Sequence, residues 1–405
     1  MKILYIVPFV PWEVKVRSHN LIPRLARRHE ITLVCVSRVG PSAEQREELK
    51  ASCEGVVHVP HSRLRGITQC VAALPTLTPL RIAYCRSASA QEAVRRVYDE
   101  ARPDVVYVER WRALQFVPEG VAAPVVCDPT DSMTLYNRRL MKAGAWWERL
   151  IAWEEYAKFV KYEGRLARGA DVTVFCSRVD MDCVKEQAPE VRSELVPNGV
   201  DCERFYLKED GEERPNTLVF TGSFKYRPNC HAVEFFLQKI FPLIRAEVPE
   251  AKFVVVGNGA SRHLARYGGK AAGFDAIDFV SELRPYVASA TVAVAPLTVG
   301  SGVSNKLLEG FATGTPVVAT PLACGDLPVK SGEHLLIGMT PQEFARHVVS
   351  LLGDPGLRAR LARQARTLVE EKYDWEIVTQ KMESVMLELV LARTDDRKEE
   401  VSVPV

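Results

Sequence analysis

The sequence predicts an α/β protein built from two successive doubly wound domains, each a parallel sheet with helices on both faces. Three observations predict it. Short, unbroken apolar runs such as 2–7 and 292–296 suit parallel strands buried on both faces. They alternate with helical stretches that carry one apolar face, as βαβ units do. The alternation stops after Pro197-Asn198-Gly199-Val200-Asp201, in a polar stretch through Glu209, Gly211, Glu212 and Glu213, and restarts at Leu218. The linker is placed there.

In the first half, strands are expected at 2–7, 31–36, 56–60, 104–109, 124–127, 171–176 and 194–196. The first runs into Pro8 and Pro11, then a helix over 17–28 with Leu21, Ile22 and Leu25 as its apolar face. Further helices are expected at 43–52, 88–101 and 146–168, while 67–84, apolar with two prolines, reads as irregular. In the second half, strands at 218–222, 253–257, 277–280, 292–296 and 315–320 alternate with helices at 228–247, 260–267, 283–288 and from Ser304. Helices at 341–352, 356–373 and 376–391 follow, and the charged residues from Thr394 are expected to fray.

With 405 residues, 47% hydrophobic and 26% charged, the chain has the composition of a globular protein of two or three domains. A net charge of +2 gives no basis for bulk nucleic-acid binding. The ten cysteines are scattered, without a CxxC pair, and several lie in apolar runs (Cys35, Cys127, Cys176), which points to a reducing compartment. No signal peptide, spanning segment, HExxH or GxxxxGK[ST] is visible, so a cytoplasmic location is expected and an ATPase is disfavoured.

The stretch 291–321, TVAVAPLTVGSGVSNKLLEGFATGTPVVATP, reads as strand, glycine loop, helix, glycine stop, strand. Gly300 and Gly302 allow backbone to approach a ligand, Ser304 suits an N-cap and Gly314 the position after the helix. Leu307, Leu308 and Phe311 form one face; Asn305 and Glu309 share another, with Lys306 beside them. A helix start suits a phosphate, and a carboxylate further in suits a sugar diol, so the unit could hold a nucleoside diphosphate and its ribose. An ordinary βαβ unit with a solvated glutamate fits the same residues.

Four other motifs stand out. Gly257-Asn258-Gly259 after FVVV opens like a dinucleotide fingerprint, but Arg262 occupies the third glycine position, so an NAD site is weakly supported. Thr221-Gly222-Ser223-Phe224-Lys225-Tyr226-Arg227-Pro228-Asn229 joins a strand to a helix and offers two cations, Lys225 and Arg227, to a diphosphate or simply to solvent. Asp128 and Asp131 of DPTDS stand at a strand end, where they suit a metal, a sugar hydroxyl or a turn. The stretch 146–162, with Trp146, Trp147, Trp153, Tyr156 and Phe159 among basic residues, suits a membrane surface or a core stripe; Glu148, Glu154 and Glu155 favour the core.

In order along the chain, VPNGVD, GSFKYRPN, VVVGNG, FVSEL and VSNKLLEGFATGTPVVAT resemble the retaining GT-B glycosyltransferases of the glycosyl transferases group 1 family. Within that family they resemble the sugar transferases associated with exopolysaccharide loci. The resemblance is strong after Val196 and loose before it. It implies a GT-B fold, two Rossmann-like domains facing across a cleft. Residues 1–200 would bind acceptor, residues 201–374 the nucleotide sugar, helix 375–393 would cross back, and 394–405 would be a flexible tail. It implies transfer of a sugar from a nucleoside-diphosphate sugar to a saccharide or lipid-linked acceptor with retention, without metal or other cofactor. Glu309 matches the second glutamate of the family's paired motif, which holds the donor ribose. Val303, Ser304 and Asn305, with Lys306 beside them, match the diphosphate-binding helix start; Gly222, Ser223 and Gly257 the loops near sugar and phosphates; Phe279 and Val280 the base contact. Lys225 and Arg227 would join Glu309 as the catalytic set, and Arg17, His19, Asp128 and Asp131 would face the acceptor. A lipid-linked acceptor makes peripheral membrane contact an expectation, through 67–84 with Arg81 and Arg86 at its end.

The sequence departs from the family at two places. Ser301 stands where the first glutamate of the pair belongs, and the loop Trp12-Glu13-Val14-Lys15-Val16 has no glycine. These keep a second reading open, a degenerate member that binds nucleotide or a partner without catalysis. An epimerase of the same fold is less well supported, because its catalytic acids and histidine cannot be placed, and a phosphorylase because the chain length does not favour its pyridoxal lysine.

Overall fold

The computed structural model describes residues 1–11, 17–143, 146–209, 211–268, 273–299 and 304–402, except the side chains of 143 and 395–402. The chain divides into two units, Met1–Pro197 with Val378–Val405, and Asn198–Ile377.

The first unit holds a seven-stranded sheet of β1 (Lys2–Val7), β2 (Glu30–Ser37), β3 (Gly55–Pro60), β4 (Val105–Glu109), β5 (Val125–Thr130), β6 (Val172–Phe175) and β7 (Ser193–Leu195), in the order β3-β2-β1-β4-β5-β6-β7. Every pairing is parallel. β4 and β5 are buried along their whole length, which is why their sequences are continuously apolar until a polar residue appears at the carboxyl end.

The second unit repeats the plan with β8 (Thr217–Thr221), β9 (Lys252–Val256), β10 (Phe274–Ile277), β11 (Val292–Ala295), β12 (Val317–Ala319) and β13 (Leu336–Ile337), ordered β10-β9-β8-β11-β12-β13 and again parallel throughout. In both sheets the order reverses beside the first strand, between β1 and β4 and between β8 and β11. The crevice outside the carboxyl ends at such a reversal is where open α/β sheets bind ligands.

Several expectations are corrected. Residues 67–84 are not irregular: helices Arg63–Ala73 and Leu80–Tyr84 cover most of them, the first started by Ser62, whose hydroxyl accepts from Arg65 N at 3.4 Å. The single helix over 228–247 is instead Arg227–Phe235, a π-helical turn Phe236–Ile240 and a second helix Phe241–Glu247, because Pro242 has no N–H to continue the first. The strand expected at 277–280 is Phe274–Ile277. Helices Trp111–Leu114, Met133–Ala143 and Arg178–Lys185 were not foreseen. The final helix, Trp375–Ser402, starts in the second unit and returns the chain to the first, and it continues through the stretch expected to fray. There Arg397, Lys398, Glu399 and Glu400 are good helix formers.

Candidate functional site

At the carboxyl ends of β8 and β9 two glycine loops interlock. Gly222 N donates to Val256 O and Phe224 N to Asn258 O, both at 2.9 Å. A Cβ on Gly257 would lie 1.9 Å from Gly222 O, so only glycine lets the loops meet. Gly222 itself has φ +151, and a Cβ there would lie 2.6 Å from Asn229 Nδ2. That amide donates to Ser223 O at 2.9 Å, which pins the loop from helix Arg227–Phe235. Gly222 is half-buried and Ser223 exposed.

The helix Asn305–Thr313 follows β11 on the other side of the reversal. Leu307, Leu308 and Phe311 are buried as its apolar face, and Gly314 closes it in the left-handed region with φ 70. This packing turns Lys306 and Glu309 toward β8. Thr221 Oγ1, at the end of β8, donates to Glu309 Oε2 at 2.9 Å. Burial raises the Glu309 carboxyl above its ordinary range, opposed by the Thr221 bond and the Lys306 charge. Lys306 Nζ donates to Asn229 Oδ1 at 3.3 Å and to Ser304 Oγ at 3.4 Å, and lies 5.0 Å from the Phe220 ring centroid. Burial lowers its ammonium to about 8. Among the described residues it makes no ion pair.

The remaining residues expected here are placed as follows. Lys225 is exposed and Arg227 half-buried as the first residue of its helix, with Pro228 in the first turn. Ser304 occupies the N-cap without a capping side-chain bond, and Asn305 is half-buried. Phe279 is 70% exposed and Val280 half-buried. Gly300, Ser301, Gly302 and Val303, and the loop Trp12–Val16, lie outside the described residues. Three side chains at this end of the sheet were missed: Thr221, Asn229 and Arg204, whose charge also acts on Glu309. A threonine ending a buried apolar strand was the available signal for Thr221.

In the first unit the reversal between β1 and β4 covers a buried polar network. Arg17 Nε meets Asp128 Oδ2 at 2.5 Å, and the two side chains are 1% and 0% exposed. Arg17 Nη1 also donates to Val196 O at 3.0 Å, Tyr107 OH to the same Asp128 oxygen, and Tyr5 OH to Glu109 Oε2 at 3.2 Å. Arg17 and Asp128 thus present no surface for an acceptor, which corrects the expectation that both would contact one. They fix the start of helix Arg17–Leu25 to the sheet instead. Burial raises Glu109 to about 7. Asp131 and His19 are half-buried; Asp131 stands 3.7 Å from Arg110. Arg110 and Thr130 both have positive φ, 77 and 72, at the ends of neighbouring strands, a conformation unusual for a β-branched residue such as Thr130. Among the described residues no group of three or more His, Cys, Asp or Glu could hold a metal.

Residues 215–354 match the family described as Glycosyl transferases group 1, and residues 14–204 the one described as Glycosyltransferase Family 4. The chain is 19% identical over 353 residues to a protein of the cps region of Klebsiella pneumoniae, covering 85% of this chain and 88% of that protein. It is 28% identical over 232 residues to a phosphatidyl-myo-inositol mannosyltransferase of Mycobacterium tuberculosis, a match spanning 54% of this chain and 57% of the mannosyltransferase. Among solved structures, Anabaena HepE in complex with UDP superposes with a TM-score of 0.65 at 15% identity, over 96% of this chain and all (100%) of that one. The two matched segments carry the two reversed sheets, and the chain has the two parallel-sheet α/β units of GT-B glycosyltransferase structures.

Proposed function

We propose that the protein transfers a sugar from a nucleoside-diphosphate sugar to a saccharide or lipid-linked saccharide acceptor, with retained anomeric configuration, in the assembly of an exopolysaccharide or other surface glycan. The observation that carries this is the Thr221–Glu309 hydrogen bond beside Lys306, at the carboxyl ends of β8 and β11. There Glu309 accepts hydrogen bonds from the ribose hydroxyls. The N–H groups of the helix start at Asn305 face the diphosphate, with Lys306, Lys225 and Arg227 supplying cations as negative charge develops on the leaving group. The acceptor hydroxyl gives its proton to the departing phosphate, so neither a metal nor a protein nucleophile is needed, and the reaction takes place on the cytoplasmic side. The UDP in the HepE structure, the lipid acceptor named for the mannosyltransferase and the cps region of the Klebsiella relative support the donor, acceptor and pathway class.

A panel of UDP- and GDP-sugars, with release of nucleoside diphosphate and mass spectrometry of products, tests the reading; NMR of the new glycosidic bond reads its configuration. Ser301, in the place of the family's first glutamate, favours the second reading, binding without transfer. Tight nucleotide binding with no turnover of any donor would establish that reading and reject the first.

A further inference from the structure

The loops after β8 and β9 and the short helix Ala260–Leu264 border an open pocket of about 580 Å³. Phe224, Lys225, Asn258, Arg262, His263 and Arg266 line it. It lies at the carboxyl end of the second sheet, where open α/β sheets bind ligands, but on the β9 side of β8, away from the reversal. Thr221, Lys306 and Glu309 do not line it. Lys225 is the one residue that it shares with the proposed nucleotide site.

Its charges are unbalanced. Lys225, Arg262 and Arg266 each bring a positive charge to the pocket. The carboxylate that meets its lining is Glu234, from helix Arg227–Phe235. Its Oε1 accepts from Arg266 Nη2 at 2.7 Å and lies 2.6 Å from His263 Nε2. Asp278 is nearby but is taken up by Ser261, whose N donates to Oδ1 at 3.0 Å and whose hydroxyl donates to Oδ2. Asp278 also receives the N–H groups of Gly259 and Ala260. The start of the short helix is thereby answered, so attraction for an anion comes from the side chains.

Those side chains are partly arranged in advance. Arg266 is held by Glu234 and by Tyr267, whose hydroxyl accepts from Nη2 at 3.3 Å. Its Nε and Nη1 have no partner among the described residues. The His263 ring packs on Phe224, with centroids 5.4 Å apart. Lys225 and Arg262 make no ion pair among the described residues, so Arg262 offers its whole guanidinium fork. A fork beside further cations and an amide suits a planar carboxylate or a phosphate.

We propose that this pocket binds an oxyanion of a substrate, a carboxylate or phosphate separate from the donor's diphosphate. The identity of its carrier rests on the nucleotide-sugar reading; the pocket itself does not.

The test is calorimetric titration of inorganic phosphate into the full chain, free and saturated with UDP or GDP, at an ionic strength held constant with sodium chloride. Phosphate should bind in both states. Arg262→Gln and Arg266→Gln should each weaken it about fivefold, and the double variant about twentyfold or more. Melting temperature and nucleotide affinity should stay unchanged. UDP-glucuronate and UDP-glucose then locate the carrier. A preference of about tenfold for the uronate, erased by Arg262→Gln, puts the oxyanion on the donor sugar. Equal affinity for the two, with phosphate binding intact, puts it on the acceptor. A chain that binds phosphate but no nucleotide would reject the functional reading and leave the pocket standing. The proposal is overturned if phosphate does not bind, if nucleotide displaces it, or if the double variant binds it as the wild type does.

Discussion

Thr221 Oγ1 donates to Glu309 Oε2 across 2.9 Å, tying the end of β8 to the helix that follows β11. One carboxylate oxygen is thereby fixed while burial holds the group's affinity for protons high. A carboxylate fixed in this way is ready to accept from a diol, and each charge-assisted bond contributes roughly 1.5–3 kcal/mol.

Glu309→Gln keeps an acceptor for Thr221 but removes the charge. Calorimetric titration of UDP and GDP should show affinity lower by about tenfold or more for the nucleotide that the wild type binds. Stability should hold or rise, since a half-buried charge is replaced by a neutral amide. Unchanged affinity for both nucleotides in a folded variant would remove Glu309 from the site.

The two neighbouring glycines of VVVGNG should separate cleanly. Gly257→Ala drives a methyl into Gly222 O, a backbone atom that cannot swing away, whereas Gly259→Ala meets nothing closer than Phe224 Cβ at 3.6 Å and must only accommodate φ +86. Gly259→Ala should cost about 1 kcal/mol. Gly257→Ala should cost more than ~2 kcal/mol and weaken nucleotide binding as well, because the loop carrying Gly222 and Ser223 is displaced. Equal denaturation midpoints for the two variants would contradict the interlocked-loop geometry.

Both sheets are legible in the sequence because their central strands, buried along their whole length, leave short apolar runs that alternate with longer amphipathic stretches. The misses arise where one part of the fold is organised by a distant part. Helix Met133–Ala143 is started by Glu163, which accepts from Met133 N at 2.5 Å and Thr134 N at 3.2 Å, a cap some thirty positions away that no local pattern announces. Arg17 and Asp128 each look like surface residues near a loop, and only the folded chain shows that they pair. On helix Trp146–Ala167 composition is ambiguous between core and surface. The structure resolves it against intuition, burying Glu148 and Glu155 and exposing tryptophans, because other polar partners await the glutamates.

Glu109 gives stability a definite pH dependence. Its folded value is raised from 4.5 to about 7 by burial, so between those values the folded state holds a proton that the unfolded chain has released. Stability from this group is full below pH 4.5 and lost as pH rises through about 7. At ~1.4 kcal/mol per pH unit the loss is on the order of 3 kcal/mol. Glu109→Gln keeps an oxygen for Tyr5 OH and should flatten the wild-type decline between pH 5 and 8 in urea denaturation. Parallel curves for the two proteins would show that Glu109 is not the titrating group.

Lys306 should act with opposite signs on stability and on nucleotide affinity. Its ammonium is lowered by burial from 10.5 to about 8, so above pH 8 the folded protein loses a proton that the unfolded chain still keeps. Folding stability from this group therefore rises with pH between about 8 and 10.5. Diphosphate binding needs the charged form, so affinity should fall over the first part of the same range. Binding at pH 8.5 should then take up a proton, which calorimetry in two buffers of different ionisation enthalpy reads directly. Lys306→Met should abolish both the proton uptake and the rise in stability, while Asn229 Oδ1 loses its donor and the Gly222 loop loosens. Lys306→Arg should keep charge at every pH, with affinity independent of pH between 7 and 9. If wild-type binding takes up no proton, and its affinity is as flat as that of Lys306→Arg, then Lys306 does not face the diphosphate and its interactions with Asn229 and Ser304 are structural only.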